Sequence, residues 1–230
     1  MYKILSVGGS TIITADGFSL DFLKKLKVMI IRRVKSGEKF ILVIGGGRTA
    51  RLYQDGAKRI TKLTNKQLDE IGIYATVLNA QFVRFMFGDL AHNEIISNPT
   101  KKIKTNKSII IASGWKPGCS TDYDAVLMAK TYGVKEIFNL SNIEYVYDKD
   151  PVKFSDARKI EETDWKTFIK EIVGNKWVAG KNAPFDPVAS REAQKLGLRV
   201  SILKGSNLIE VEKALSGKKF KGTIIENFKF

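Results

Sequence analysis

Residues 40–51 read FILVIGGGRTAR and join a run of apolar residues to three consecutive glycines. The run Phe40–Ile44 has the composition of a strand buried on both faces of a parallel sheet. Glycines at 45–47 let the backbone approach an anion closely, and Arg48 and Arg51 follow where a helix begins. Because N–H groups and the dipole at a helix start favour anions, this stretch predicts a strand, a phosphate-binding loop and a helix.

Two further loops continue this pattern. The apolar segment 4–7 is followed by Gly8-Gly9-Ser10, and the segment 108–112 is followed by GWKPGCSTD at 114–122. The second loop offers hydroxyls, N–H groups and a carboxylate at a predicted helix start, where the simpler role of Thr121 or Asp122 is a helix cap. Ligands of parallel sheets bind beyond the carboxyl ends of the strands, so function is expected at these loops.

Strand and helix patterns alternate along the chain, which predicts an α/β fold: a three-layer αβα sandwich with a mostly parallel central sheet. The predicted strands lie at 4–7, 40–44, 108–112, 137–140, 198–203 and 223–225. The predicted helices include Leu23 to Val34, 65–87, 122–132, Thr163 (as cap) to Gly174, Asp186-Pro187 to Gly197, and 207–215. All 230 residues are expected to form a single domain.

The chain is strongly basic, with 39 Lys and Arg against 24 Asp and Glu and a formal net charge of +15. Such a charge attracts nucleotides, nucleic acids or membrane surfaces, but scattered lysines are also typical of a solvated surface. No nucleic-acid recognition motif accompanies them, and no apolar run approaches the roughly 18 residues of a membrane span. The single cysteine, Cys119, excludes an internal disulfide, and a cytoplasmic location is expected.

Two common nucleotide-binding motifs do not explain the glycine loops. The sequence contains no GxxxxGK[ST], which excludes a Walker-type loop. Residues 45–50 match the spacing of a dinucleotide fingerprint, but the acidic residue about 20 positions later should end a second strand. The candidate, Asp69, instead lies at the start of a predicted long helix, which disfavours a dehydrogenase.

Together these motifs resemble the amino-acid-kinase superfamily and, within it, the uridylate (UMP) kinases of the archaeal-type pattern. The segments that carry the resemblance are GGS at 8–10, GGGRTAR at 45–51, DEIGI at 69–73, PGCSTD at 117–122, SNIEYVYDKDP at 141–151 and DPVA at 186–189. They span nearly the whole chain. The resemblance implies transfer of the γ-phosphoryl group of ATP to UMP, in pyrimidine nucleotide biosynthesis, with Mg²⁺ bound with ATP and no dedicated metal ligands.

The resemblance also implies roles for individual residues. Arg51 and Asp122 are the expected catalytic residues; the first neutralises anionic oxygens and the second orients the catalytic groups. The expected ATP-binding residues are Ser6, Val7, Gly8, Gly9, Ser10, Gly47, Arg51, Ser141, Asn142, Tyr147 and Asp150. The expected UMP-binding residues are Gly46, Asp69, Trp115, Lys116, Pro117, Gly118, Cys119, Ser120 and Thr121.

The family likeness implies an organisation as well. The N-terminal part, about 1–115, is expected to serve mainly UMP, and the C-terminal part, about 116–230, mainly ATP. A homo-oligomer, a hexamer, is also implied. The helix at 65–87 is the expected contact element, since it carries apolar residues at helical spacing at Ile71, Ala75, Leu78, Phe82 and Phe85.

The chain departs from the family pattern at the predicted nucleotide site. Many superfamily members carry a lysine where Ser6 stands, and a serine cannot neutralise the transferring phosphoryl group. Archaeal-type UMP kinases also lack that lysine. The candidate cations are Arg51, Lys116 and Lys181, between which the sequence does not decide.

Two side chains in the predicted substrate loop and helix have alternative roles. Asp124 adds a carboxylate to the first turn of a predicted helix, which the helix dipole favours, with a metal role as the alternative. Trp115 is expected either to stack on uracil or to form a structural lid. A kinase of another small phosphate or carboxylate, and a non-catalytic nucleotide-binding or storage protein, are the competing functions, because fold does not fix function.

Overall fold

The computed structural model describes residues 1–174, 176 and 183–228 of the chain. Its strands are β1 (Tyr2–Val7), β2 (Ile13–Thr14), β3 (Gly17–Phe18), β4 (Lys39–Ile44), β5 (Ile109–Ala112), β6 (Glu136–Ser141), β7 (Val146–Tyr147), β8 (Lys159–Ile160), β9 (Glu162–Asp164), β10 (Arg199–Lys204) and β11 (Thr223–Glu226). Its α-helices are α1 (Gly9–Ile12), α2 (Leu20–Lys35), α3 (Gly47–Ile60), α4 (Asn65–Phe87), α5 (Thr121–Tyr132), α6 (Trp165–Thr167), α7 (Pro187–Leu196) and α8 (Leu208–Leu215). A 3₁₀ turn at Gly88–Leu90 follows α4, and a π-helical turn at Phe168–Val173 continues α6.

A seven-stranded sheet in the order β5-β4-β1-β6-β10-β11-β9 forms the middle layer. Its neighbouring strands pair in parallel, except β10 and β11, which pair antiparallel. Helices flank this sheet, and the predicted α/β sandwich with a mostly parallel sheet is confirmed.

The strand β4 lies inside the sheet, and its packing explains why its sequence is apolar throughout. Phe40, Leu42 and Ile44 pack into one core with residues of α2, α4 and α8. Ile41 and Val43 pack into a second core with residues of α5 and α7. Side chains alternate across a strand, so a strand covered by helices on both faces needs apolar residues at every position.

Two predicted helices begin where the structure has them, α4 at Asn65 and α7 after Asp186. Helix α4 has the predicted bounds, and Thr64 and Gln67 form a reciprocal capping box at its start. Asp186 caps α7 as predicted, because its carboxylate accepts the N–H groups of Val188 and Ala189.

One expected cap is wrong, and the capping role weighed for Thr121 or Asp122 belongs to a neighbouring residue. Thr163 is buried in β9, where a β-branched residue packs well, and Asp164 caps α6 by accepting the N–H of Thr167 at 3.0 Å. Helix α5 is capped by Ser120, whose Oγ accepts the N–H of Asp122 at 3.1 Å. The carboxylate of Asp122 is therefore not used for capping.

The apolar stripe predicted on α4 faces the core only in part. Ala75 is buried, but Leu78 and Phe85 are 61% and 67% exposed, and Tyr74 is 76% exposed. The core-facing side of the helix is built instead by Leu68, Ala75, Ala80, Val83 and Phe87. None of the helices in the described ranges is long and apolar enough to cross a membrane.

The loops after β1 and β4 interlock backbone against backbone. A Cβ atom on Gly9 would lie 2.4 Å from the carbonyl oxygen of Gly45 and 2.4 Å from the nitrogen of Gly47. A Cβ on Gly47, which has φ +54°, would lie 2.2 Å from the carbonyl carbon of Gly9. Neither position can accept a side chain unless the backbone shifts, so the two glycine loops form one rigid unit.

We expect Gly9→Ala to lower the free energy of unfolding by about 1–3 kcal/mol, because the added methyl group has no space between the two loops. Gly56 provides the matched control: it lies within α3, and nothing lies within 4 Å of a Cβ built there. Gly56→Ala should raise stability by about 0.5–1 kcal/mol through helix propensity. Urea unfolding measures both changes. Equal stability of Gly9→Ala and the wild type would contradict the interlock.

Candidate active site

One cleft opens where the loops after β1, β4, β5 and β6 meet, at the carboxyl ends of these strands. The predicted site residues that line it are Ser6, Gly8, Gly9, Ser10, Gly46, Gly47, Arg51, Asp69, Trp115, Lys116, Cys119, Ser120, Thr121, Asp122, Ser141 and Asn142. Segments that are far apart in sequence thus contribute to a single site.

Other predicted residues do not line this cleft. Val7 is buried in the core at the end of β1. Pro117 and Gly118 belong to the loop before α5, and the N–H of Gly118 donates to Asp69 Oδ2 at 2.8 Å. Tyr147 lies in β7, which pairs with β8 outside the main sheet, and Asp150 follows that strand. Lys181 lies outside the described residues.

Asp122 is held at the floor of the cleft by two neutral donors. Its Oδ1 accepts from Ser6 Oγ at 3.0 Å and from Asn139 Nδ2 at 3.0 Å. These donors lie on the neighbouring strands β1 and β6, while Asp122 itself lies in the first turn of α5. Two bonds to one oxygen fix the orientation of the carboxyl group.

Asp186 joins the starts of two helices. Its Oδ1 accepts the N–H groups of Val188 and Ala189 at 2.6 and 2.8 Å, and its Oδ2 accepts from the N–H and Oγ of Ser120 at 3.0 and 2.6 Å. The side chain is 2% exposed. One buried carboxylate therefore fixes the position of α5 relative to α7, and with it the position of Asp122.

Burial raises the pKa values of carboxyl groups in the cleft, which lowers their negative charge at neutral pH. Loss of water around Asp122 raises its pKa to about 7; the nearby Asp186 raises it further, and the hydrogen bond from Ser6 opposes the change. Burial likewise raises the pKa of Asp124 to about 8. At pH 7, Asp124 is mostly protonated and Asp122 is near its midpoint. Burial also raises the pKa of the Cys119 thiol to about 12, which excludes thiolate chemistry at neutral pH.

Polar residues of α4 hold the loops that surround the cleft. Asn79 Nδ2 donates to the carbonyl oxygens of Gly45 and Gly46 at 2.9 and 3.1 Å. Thr76 Oγ1 accepts the N–H of Gly114 at 2.8 Å. The triple-glycine loop and the loop before α5 are thus anchored to the same helix.

The described cations of the cleft lie on its sides. Arg51 Nη2 donates to Ser10 Oγ at 3.0 Å, which places the guanidinium beside the first glycine loop. Lys116 Nζ lies 4.4 Å from the centroid of the Trp115 ring, a cation–π contact. No group of three or more His, Cys, Asp or Glu side chains among the described residues is arranged to hold a metal ion.

Sequence reasoning missed several residues that build the site. Asn139, Thr76 and Asn79 are buried polar residues on elements that otherwise face the core. Asp186 was identified only as a helix cap. A polar side chain inside an apolar strand or on the core face of a helix is the sequence signal that could have found them, because buried polar groups need a partner.

A mostly parallel sheet with two interlocked glycine loops and a helix-start carboxyl at one cleft defines an α/β protein built to bind phosphate groups. The sequence profile of the amino acid kinase family matches residues 1–204, and the chain belongs to this family.

Relatives align along nearly the whole chain. The chain is 30% identical over 229 residues to a uridylate kinase of Methanocorpusculum labreanum, covering 97% of this chain and 95% of that protein. It is 27% identical over 231 residues to a uridylate kinase of Methanocaldococcus jannaschii, covering 98% and 100%. Archaeal-type uridylate kinases dominate these matches, so the resemblance inferred from the motifs is confirmed.

Solved structures share the fold. A uridylate kinase from Archaeoglobus fulgidus superposes with a TM-score of 0.78 at 23% identity, covering 98% of this chain and 100% of that one. A UMP kinase from Bacillus anthracis superposes with a TM-score of 0.77 at 18% identity, covering 99% and 96%.

Proposed function

We propose that this protein is an ATP-dependent UMP kinase, a phosphotransferase that converts ATP and UMP to ADP and UDP. The observation that carries the proposal is the cleft itself: interlocked glycine loops, Arg51 and a fixed Asp122 meet there. Near full-length likeness to proteins named uridylate kinase supports the choice of acceptor.

Within this proposal the two nucleotides use different sides of the cleft. ATP phosphates lie against the loops after β1 and β4, and its adenosine lies near Ser141 and Asn142. UMP lies between the start of α4 and the loop before α5, where Asp69 and Trp115 line the cleft. The N-terminal part, about 1–115, then supplies Asp69 to UMP and also both glycine loops to ATP, so the expected division into a UMP part and an ATP part holds only in part within this proposal.

In the proposed reaction, a phosphate oxygen of UMP attacks the γ-phosphorus of ATP, and the bond to the bridging oxygen of ADP breaks. The attacking oxygen is already ionised at neutral pH, so no general base is required. Catalysis of phosphoryl transfer consists mainly of positioning and charge neutralisation. Arg51 supplies positive charge, Asp122 orients the reacting groups, and Mg²⁺ enters on the phosphates of ATP as part of the substrate.

The proposal extends to assembly and location. Tyr74, Leu78 and Phe85 form an exposed apolar face on α4, and burial of such a face favours association of chains into a homo-oligomer, a hexamer. The only cysteine in the sequence is unpaired, which supports a cytoplasmic location.

The direct test of function is a panel of UMP, CMP, AMP and GMP with Mg·ATP, scored by release of ADP. UMP should have the highest kcat/KM of the four, because the Asp69 segment and the loop before α5 resemble the uridylate site. Equal turnover of all four, or no turnover of UMP, would refute the assignment. Turnover of a different small phosphate or carboxylate would identify another kinase on the same fold.

Arg51→Ala and Asp122→Asn should each lower kcat by roughly a hundredfold, as removal of a preorganised electrostatic group does. Arg48→Ala and Asp55→Asn are the matched controls, since both residues are exposed on α3 and neither lines the cleft. Thermal melts of all four variants separate catalysis from folding. A kcat within twofold of wild type for both cleft variants would show that the site is misplaced.

Light scattering at micromolar concentration should report a mass several times that of one chain. Leu78→Glu should shift the mass towards the monomer, because it places a charge in the apolar face of α4. Val28→Glu is the control, at an equally exposed position (67%) on α2. A monomeric wild type, or equal effects of the two substitutions, would contradict this interface.

A further inference from the structure

Asp124 carries a buried carboxyl oxygen that the reaction outlined above does not use. Its side chain is 2% exposed, lies in the first turn of α5 and lines the cleft. Its Oδ1 has no hydrogen-bond partner among the described residues. Buried polar atoms are nearly always paired, and an exception at a binding cleft indicates a missing ligand group.

Asp124 lies on the side of the cleft where the acceptor, UMP, is proposed to bind. The backbone of Trp115 lies close enough to lower the pKa of its carboxyl group, and Lys116 and Cys119 of the same loop are close enough to interact with it electrostatically. The same loop is tied to α4 through the Gly118–Asp69 bond. Asp124 thus lies against the loop proposed to hold UMP.

The charges near Asp124 indicate which part of the acceptor nucleotide it contacts. A phosphate dianion is disfavoured there, because Asp122 and Asp186 interact unfavourably with Asp124 and would repel a further anion. Positive charge for the phosphate is offered by Arg51 beside Ser10, whereas the nearby Lys116 lies over the Trp115 ring. The resemblance of the Asp69 segment to the uridylate kinases implies that Asp69 holds the ribose, so the neutral base is the part of the nucleotide that remains.

A pyrimidine base offers a matching group. Uracil presents carbonyl oxygens, which accept hydrogen bonds, and a protonated carboxyl group has one O–H to donate. We propose that Asp124 is a specificity-determining residue that donates a hydrogen bond from its carboxyl group to a carbonyl oxygen of the acceptor base. This inference rests on the proposed UMP kinase activity.

Neighbouring groups keep Asp124 in the form that donates. Burial is the largest cause of its raised pKa, about 8; Asp186 on α7 and Asp122 on α5 raise it further, while the Trp115 backbone and Lys116 oppose the rise. Tyr123 and Cys119 are the other titratable groups that interact with it. Below pH 8 the O–H is present, and above pH 8 the carboxylate repels a carbonyl oxygen.

The pH dependence separates base recognition from a purely structural role. If Asp124 donates to the base, UMP binding weakens as pH rises through about 8. If Asp124 only interacts with the backbone of Trp115 and so holds the loop, ionisation of Asp124 strengthens that interaction, and UMP binding improves or stays constant.

The experiment measures the UMP dissociation constant by calorimetry at pH 7 and pH 9 for the full chain. A group with a pKa of about 8 predicts roughly tenfold weaker binding at pH 9 in the wild type. Asp124→Asn keeps a donor and an acceptor without titrating, so its affinity should fall much less between pH 7 and pH 9 than that of the wild type, and the change that remains reports Asp122, whose pKa is about 7. Asp124→Leu should bind UMP about tenfold more weakly already at pH 7. Asp16→Asn, at an exposed site in the β2–β3 turn, should behave as wild type.

A second probe locates the contact on the base. Ribose 5-phosphate lacks the base, so its inhibition constant should be the same for wild type and Asp124→Leu. Equal weakening of both probes in Asp124→Leu would overturn the base contact, as would identical pH dependence in wild type and Asp124→Asn. These outcomes are independent of whether the wild type phosphorylates UMP at pH 7, which tests the proposed function itself.

Discussion

The contact between Gly9 and the Gly45–Gly47 loop is the constraint on which the site depends. Two backbones approach so closely that a methyl group on either side would lie within 2.4 Å of the other. The loops after β1 and β4 therefore move as one body, and Asn79 fixes that body to α4 through two carbonyl oxygens. A phosphate-binding surface made of N–H groups keeps its shape only if the backbone that carries those groups is fixed.

A second fixed point is provided by Asp186, at the starts of α5 and α7. It caps α7 and at the same time binds Ser120 at the start of α5, so the helix that carries Asp122 and Asp124 cannot rotate independently of α7. Helix caps usually stabilise one helix by about 1 kcal/mol. Here a single carboxylate also sets the direction in which two other carboxyl groups face the cleft.

The fold could be predicted well from the sequence, because its strongest signals are local. The apolar run of β4, the bounds of α4 and the Asp186-Pro187 helix start each depend on neighbouring residues. The hairpins β2–β3 and β7–β8 have strands of only two residues, too short to show a period.

The cleft depends on residues distant in sequence: Ser6, Asp122 and Asn139 meet only because β1 and β6 are neighbours in the sheet. The exposure of Leu78 and Phe85 could not be predicted from the sequence either, because helical spacing alone does not show which side of a helix packs against the core.

The serine at position 6 and the high pKa values of the carboxyl groups are physically linked. A lysine on β1 beside Asp122 would stabilise the ionised carboxylate and lower its pKa. Ser6 instead offers a neutral hydroxyl, so the buried Asp122 keeps a pKa of about 7, while burial raises that of Asp124 to about 8. Carboxyl groups that are partly protonated repel incoming phosphates less than two full negative charges would. The floor of the cleft therefore carries less negative charge than fully ionised carboxylates would give it, and the positive charge that phosphoryl transfer needs is supplied by Arg51 and by the metal ion that ATP carries. A protonated carboxyl group there donates a hydrogen bond, which is the property needed to recognise a carbonyl oxygen of an uncharged base.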